Sequence, residues 1–151
     1  MKPSEIRKQV LTEHVELRQT LERIEGIADR VLTAGDGELA SLRGEATGFL
    51  DALLTHLEWE DEHLAPALCA GGELGEGFAA NLARDHAEQR DLLEHILRGL
   101  SDASRPDGVI ARNLRDLCRL LRDDMVDEEE MLLKAEFLHE RASGGDDPGT
   151  R

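Results

Sequence analysis

Cationic side chains are scarce in this chain: 18 lysines and arginines stand against 33 aspartates and glutamates, for a formal net charge of −15. A surplus of that size repels phosphate backbones and anionic lipid headgroups at long range. Nucleic acid and membrane surfaces are therefore not expected partners. Long apolar runs are also missing. No stretch approaches the roughly 20 residues needed to span a bilayer, and Met1-Lys2-Pro3-Ser4-Glu5 is followed by no apolar signal core, so a cytoplasmic location is expected. The two cysteines, Cys69 and Cys118, form neither a CxxC pair nor a disulfide framework. Each is expected to be a small buried hydrophobe rather than a ligand, and so few thiols argue against an iron–sulfur cluster. The chain has almost no β-branched alternation and no fixed-period internal repeat.

What is present is helical periodicity. A length of 151 residues with 40% hydrophobic composition suits one domain with a real core. Breaker clusters divide the chain at Ala34-Gly35-Asp36-Gly37, at Gly71-Gly72 through Gly77, at Ser104-Arg105-Pro106-Asp107-Gly108, and at Ser143-Gly144-Gly145-Asp146-Asp147-Pro148. The four long segments they leave are amphipathic with a three-four apolar spacing. Their connections are short, which favours antiparallel neighbours. The expected fold is all-α, an up-down-up-down four-helix bundle over residues 1–141, with residues 142–151 as a disordered tail.

Each apolar stripe is interrupted by polar residues. In the first helix His14 falls in phase between Val10 and Leu17, and in the second Leu42, Ala46, Phe49 and Leu53 give way to His56, Glu60 and His63. In the third, His86 is surrounded by Leu82, Leu93 and Ile96. In the fourth, Asp124 and Glu128 arrive where Ile110, Leu114, Leu117 and Leu121 should continue. Antiparallel neighbours place the start of one helix beside the end of the next, so all these positions are expected to converge in a slab a few turns thick at one end of the bundle. A buried, unpaired carboxylate costs several kcal/mol, and the stripes carry no basic residue to offset it. A cation is the simplest partner. The spacing fits: His56 with Glu60, and Asp124 with Glu128, are each four apart and thus neighbours on one helix face. Imidazole with carboxylate suits iron, manganese or zinc.

These residues resemble the hemerythrin-like, HHE cation-binding domain over nearly the whole chain. The likeness rests on His14 in Glu13-His14-Val15-Glu16-Leu17-Arg18, on His56-Leu57-Glu58-Trp59-Glu60-Asp61-Glu62-His63-Leu64-Ala65-Pro66, and on His86 in Asp85-His86-Ala87-Glu88. The resemblance implies two iron ions joined by an oxo or hydroxo bridge, with His14 and His56 on one iron, His86 on the other, and Glu60 and Glu128 bridging. The second HxxxE of the family is altered here, because Asp124 occupies its histidine position, and His63 is an alternative ligand one turn away. The third helix carries Leu82 and Arg90 where the oxygen-carrying hemerythrins have an HxxxH pattern. One iron is thereby poor in nitrogen donors. The function the resemblance implies is binding or sensing of oxygen or nitric oxide. Two other classes fit the same residues: a di-iron enzyme with ferroxidase, peroxidase or iron–sulfur repair chemistry, and a structural bundle with a decayed or single-metal site.

Overall fold

The computed structural model describes residues 1–34, 39–102 and 104–139, with backbone alone for residues 34 and 39–41. The first and last breaker clusters fall largely or wholly outside these residues, as do the tail at 142–151 and the last two residues of the expected domain. Among the described residues there are helices and no strand. The long elements are α1 (Pro3–Ala34), α2 (Leu39–Trp59), α4 (Gly72–Ser101) and α5 (Asp107–Lys134). Between α2 and α4 lie a π-helical turn (Glu60–Leu64) and the short α3 (Ala65–Cys69), and a 3-10 turn (Glu136–His139) follows α5.

The long helices form around their apolar stripes, with α1 packed on α2 and α5 and α4 packed on α5 and α2. Surface ion pairs Arg115–Asp29, Arg122–Glu25 and Arg18–Glu129 match rising positions of α1 with falling positions of α5. The second segment is not one uninterrupted α-helix. At its widened turn the Ala65 N–H donates to the Glu60 carbonyl, five residues back. Pro66, which has no N–H to offer the preceding turn, sits in the first turn of α3.

The polar slab is not at the end of the bundle, as the stripes suggested, but between two apolar clusters. The larger spans Leu17–Val31 of α1, Leu42–Leu57 of α2, Leu93 and Ile96 of α4, and Ile110–Met125 of α5. The smaller contains Ile6, Val10, Leu64, Leu68, Leu82, Leu132, Ala135 and Leu138. The 3-10 turn supplies Leu138 to this outer cluster, and the π turn supplies Leu64. These short elements, which the stripes did not announce, close the end beyond the slab. Cys118 is buried in the larger core, where burial pushes its thiol up to about 12. Cys69 is exposed, contrary to the expectation for it, because it ends α3 on the solvent side.

The closure is tight at α3 and α4. Gly72 adopts φ 80°, in the left-handed region that favours glycine, and starts α4. Gly75 is buried where a Cβ would collide with the Leu68 carbonyl oxygen and press on the Phe137 ring. Gly75→Ala is therefore expected to force the two helices apart at a cost of about 1–3 kcal/mol. The thermal midpoint should fall by several degrees in a circular dichroism melt, and an unchanged midpoint would mean that this approach is not a packing constraint.

Candidate metal centre

The site is assembled from one side chain of each long helix and one from the π turn. His14 comes from α1, His56 from the last turn of α2, Glu60 from the start of the π turn, His86 from α4, and Glu128 from α5. His14, Glu60 and His86 are each 1% exposed. A ligating atom from each of His14, His56, Glu60 and Glu128 lies within 4.8 Å of the other three. His56 Nε2 is 3.0 Å from Glu60 Oε2 and His14 Nε2 is 2.9 Å from Glu128 Oε1. His86 approaches from the opposite side, with Nε2 3.0 Å from Glu60 Oε1. Glu60 thus presents one oxygen to the His14–His56 side and the other to His86.

The outward nitrogens explain this orientation. His56 Nδ1 donates to Glu13 at 2.6 Å, His14 Nδ1 to Glu129 at 2.7 Å, and His86 Nδ1 to Asp61 at 2.8 Å. An Nδ1–H committed to a carboxylate fixes the ring and aims Nε2 at the centre of the slab, the arrangement found behind metal-bound imidazoles. The carboxylates are held in turn. Gln9 donates to Glu13, Arg18 makes two hydrogen bonds to Glu129, and Arg90 donates to Asp61. Sequence reasoning missed Glu13, Asp61 and Glu129, although each stands directly beside a ligand candidate, in Glu13-His14, Glu60-Asp61 and Glu128-Glu129.

The donor set fits a cation. Glu60 Oε2 and Glu128 Oε1 are buried and neither makes a hydrogen bond, although imidazole nitrogens stand 3.0 and 2.9 Å away. Two buried oxygens that face imidazoles without bonding them are suited to hold a cation between them, and leaving such oxygens unsatisfied costs several kcal/mol. In the bare cluster protons must take that role. Burial pulls the His56 pKa down, but the Glu60 carboxylate beside it and the hydrogen bond to Glu13 outweigh it and raise the value to about 9. Burial and the charge of Glu60 push Glu128 up to about 8. Burial also opposes ionisation of Glu60, yet the imidazoles of His56 and His86 beside it hold it well below the usual carboxylate range. A divalent cation removes the need for these protons, and the residues fit one.

The other sequence candidates lie around this core. Asp124 is half-buried and accepts from Gln89 Nε2 at 2.8 Å. Burial raises its pKa, with Asp85, Glu88 and Asp127 adding to the rise against the Gln89 bond. Gln89, not singled out in the sequence, is 6% exposed. His63 is partly exposed and packs against Trp59 in a tilted arrangement, ring centroids 4.9 Å apart. His95 is exposed, and His139 Nε2 donates to the Leu132 carbonyl. The cluster opens onto a cavity of about 20 Å³ whose other walls include Leu21, Phe49, Leu53, Leu121 and Met125. Such a space holds about one water-sized guest and no organic substrate.

A family model, the hemerythrin HHE cation binding domain, matches residues 5–135. No curated protein and no solved structure matches the chain.

Because Glu60 serves both sides of the cluster, Glu60→Ala is expected to weaken metal binding by at least the roughly 10–100-fold that losses in the supporting shell cause. Metal analysis of the purified variant checks this. Full occupancy would rule out a bridging role for Glu60.

Proposed function

This chain belongs to the hemerythrin HHE cation-binding family, and we propose that it is a non-haem di-iron protein that binds or senses a small diatomic, oxygen or nitric oxide. Its frame in this reading is an up-down-up-down antiparallel bundle, a topology supported by the opposed order of the α1–α5 ion pairs. The observation that carries the reading is the convergence of three imidazole Nε2 atoms on Glu60 and Glu128, with Glu60 Oε2 and Glu128 Oε1 buried and without a hydrogen bond. His14, His56, Glu60 and Glu128 would hold one iron, and His86, Glu60, Glu128 and Asp124 the other. Iron is preferred over manganese and zinc because the family resemblance points to it, while the mixed nitrogen and oxygen donors suit all three.

When bound, the irons would supply electrons and an open coordination position. The chain supplies the rest. The Nδ1 hydrogen bonds fix the three rings, the two apolar clusters keep bulk water from both faces of the slab, and the small cavity limits what can reach it. Gln89 holds an amide N–H beside Asp124, so one cavity wall can donate or accept a hydrogen bond. A second reading, turnover in ferroxidase, peroxidase or iron–sulfur repair chemistry, is favoured by one feature: the carboxylate of Asp124 in place of a neutral nitrogen donor, which prefers the ferric state.

The test is metal analysis with optical spectra of the protein loaded with ferrous iron without oxygen and then exposed to oxygen or nitric oxide. Two irons per chain and a spectrum that reverses when the gas is removed support binding or sensing. Catalytic consumption of oxygen or peroxide favours the enzyme, and a chain without metal overturns both readings.

Asp124 permits a sharper prediction. An aspartate is shorter than histidine and offers hard, negative oxygen, so the native centre is expected to oxidise readily and release oxygen poorly. Asp124→His should supply a nitrogen donor and slow oxidation of the reduced protein in stopped-flow traces. Equal or faster oxidation, with two irons bound in both proteins, would show that this position does not tune the centre.

A further inference from the structure

The two halves of the cluster are unequally built. On one side stand two imidazoles, His14 and His56, with Glu60 Oε2 and Glu128 Oε1, their ligating atoms all within 4.8 Å of one another. Their outward bonds go to Glu129 and Glu13, which are 27% and 21% exposed. On the other side stands one imidazole, His86, facing Glu60 Oε1. A further donor on the same cavity wall, Asp124, is half-buried and already accepts from Gln89. His86 is aimed by Asp61, which is 41% exposed, and Asp61 is held by Arg90, which is 39% exposed. Hydrogen bonds and ion pairs in contact with water hold less firmly than enclosed ones.

We propose that the two positions fill in a fixed order, the His14–His56 position first and the His86 position second and more weakly, and that Asp61 is a positioning residue acting on the second step alone. This rests on the two-metal reading above. The first position gathers its donors without further rearrangement. The second must fix His86 through the Arg90–Asp61–His86 relay and draw Asp124 from Gln89, or leave that position to water. Asp61 touches neither His14 nor His56 in any hydrogen bond, since its oxygens are engaged by His86 and Arg90. Its loss therefore has a direct route to one position only. It also leaves the apolar clusters intact.

The test is calorimetric titration of the metal-free chain with cobalt(II), which avoids air oxidation and reports nitrogen donors in its visible bands. The wild type should take up two equivalents, the first at least about ten-fold more tightly than the second. Asp61→Ala should weaken the second by about 10–100-fold and leave the first unchanged, the size of effect that supporting carboxylates exert through a ligand histidine. Asp61→Asn, which retains an oxygen to accept from Nδ1, should recover much of the second step. Glu13→Ala should instead weaken the first. Equal affinities in the wild type, or a loss shared by both steps in Asp61→Ala with unchanged helical content, would overturn the order. A single equivalent in the wild type would overturn the two-metal reading itself, and the two failures are distinguished by stoichiometry.

Discussion

The carboxylate of Glu60, 1% exposed and reached by imidazole nitrogens on both oxygens, is the constraint around which the rest of the molecule is arranged. A glutamate at that depth persists only with compensating charge. His56 and His86 provide it when protonated, and a cation provides it when they are neutral. The choice of residue has an architectural cost, because the apolar core cannot run through the slab and divides into two clusters. The outer cluster needs Leu64 and Leu138, contributed by the π turn and the 3-10 turn. Those irregular elements thus seal the far side of the polar slab.

The supporting carboxylates bind the helices to one another. Glu13 of α1 holds His56 of α2, Glu129 of α5 holds His14 of α1, and Asp61 of the π turn holds His86 of α4. In each case the carboxylate stands next in sequence to a residue of the central cluster. One dipeptide therefore points inward with one side chain and steadies a different helix with the other. Adjacent helical residues differ by about 100° in direction, which is why the pair can face two neighbours at once. A shift of any helix along its axis would move a ligand candidate and a supporting carboxylate together.

Much of this was legible because helical phase is a strong signal. His14, His56, Glu60 and His86 interrupt regular apolar stripes, and the structure brings these positions together with Glu128. Glu128 was harder to read, since Asp123, Asp127, Glu129 and Glu130 around it look like a solvated face. The supporting shell was hidden for a similar reason. Glu13, Asp61 and Glu129 belong to a composition in which acidic residues are abundant, so a functional one carries no mark of its own. The outer apolar cluster was hidden because it is drawn from the ends of several helices and from the short turns rather than from one stripe. The π turn, finally, depends on one hydrogen bond choosing a partner five residues back, a choice that apolar spacing does not encode.

The division of the core also separates stability from occupancy. The larger cluster carries most of the buried apolar side chains and touches the slab only along one face. Burial of this kind contributes about 25 cal/mol per Å² irrespective of what the slab contains. The helices therefore need not be assembled by the cation, in contrast with small domains whose fold is the metal-bound state. What occupancy changes is the state of the slab. Without a cation, the raised pKa values of His56 and Glu128 place protons in it at neutral pH, and with one those protons leave. A preformed frame of this kind can take up a cation without refolding.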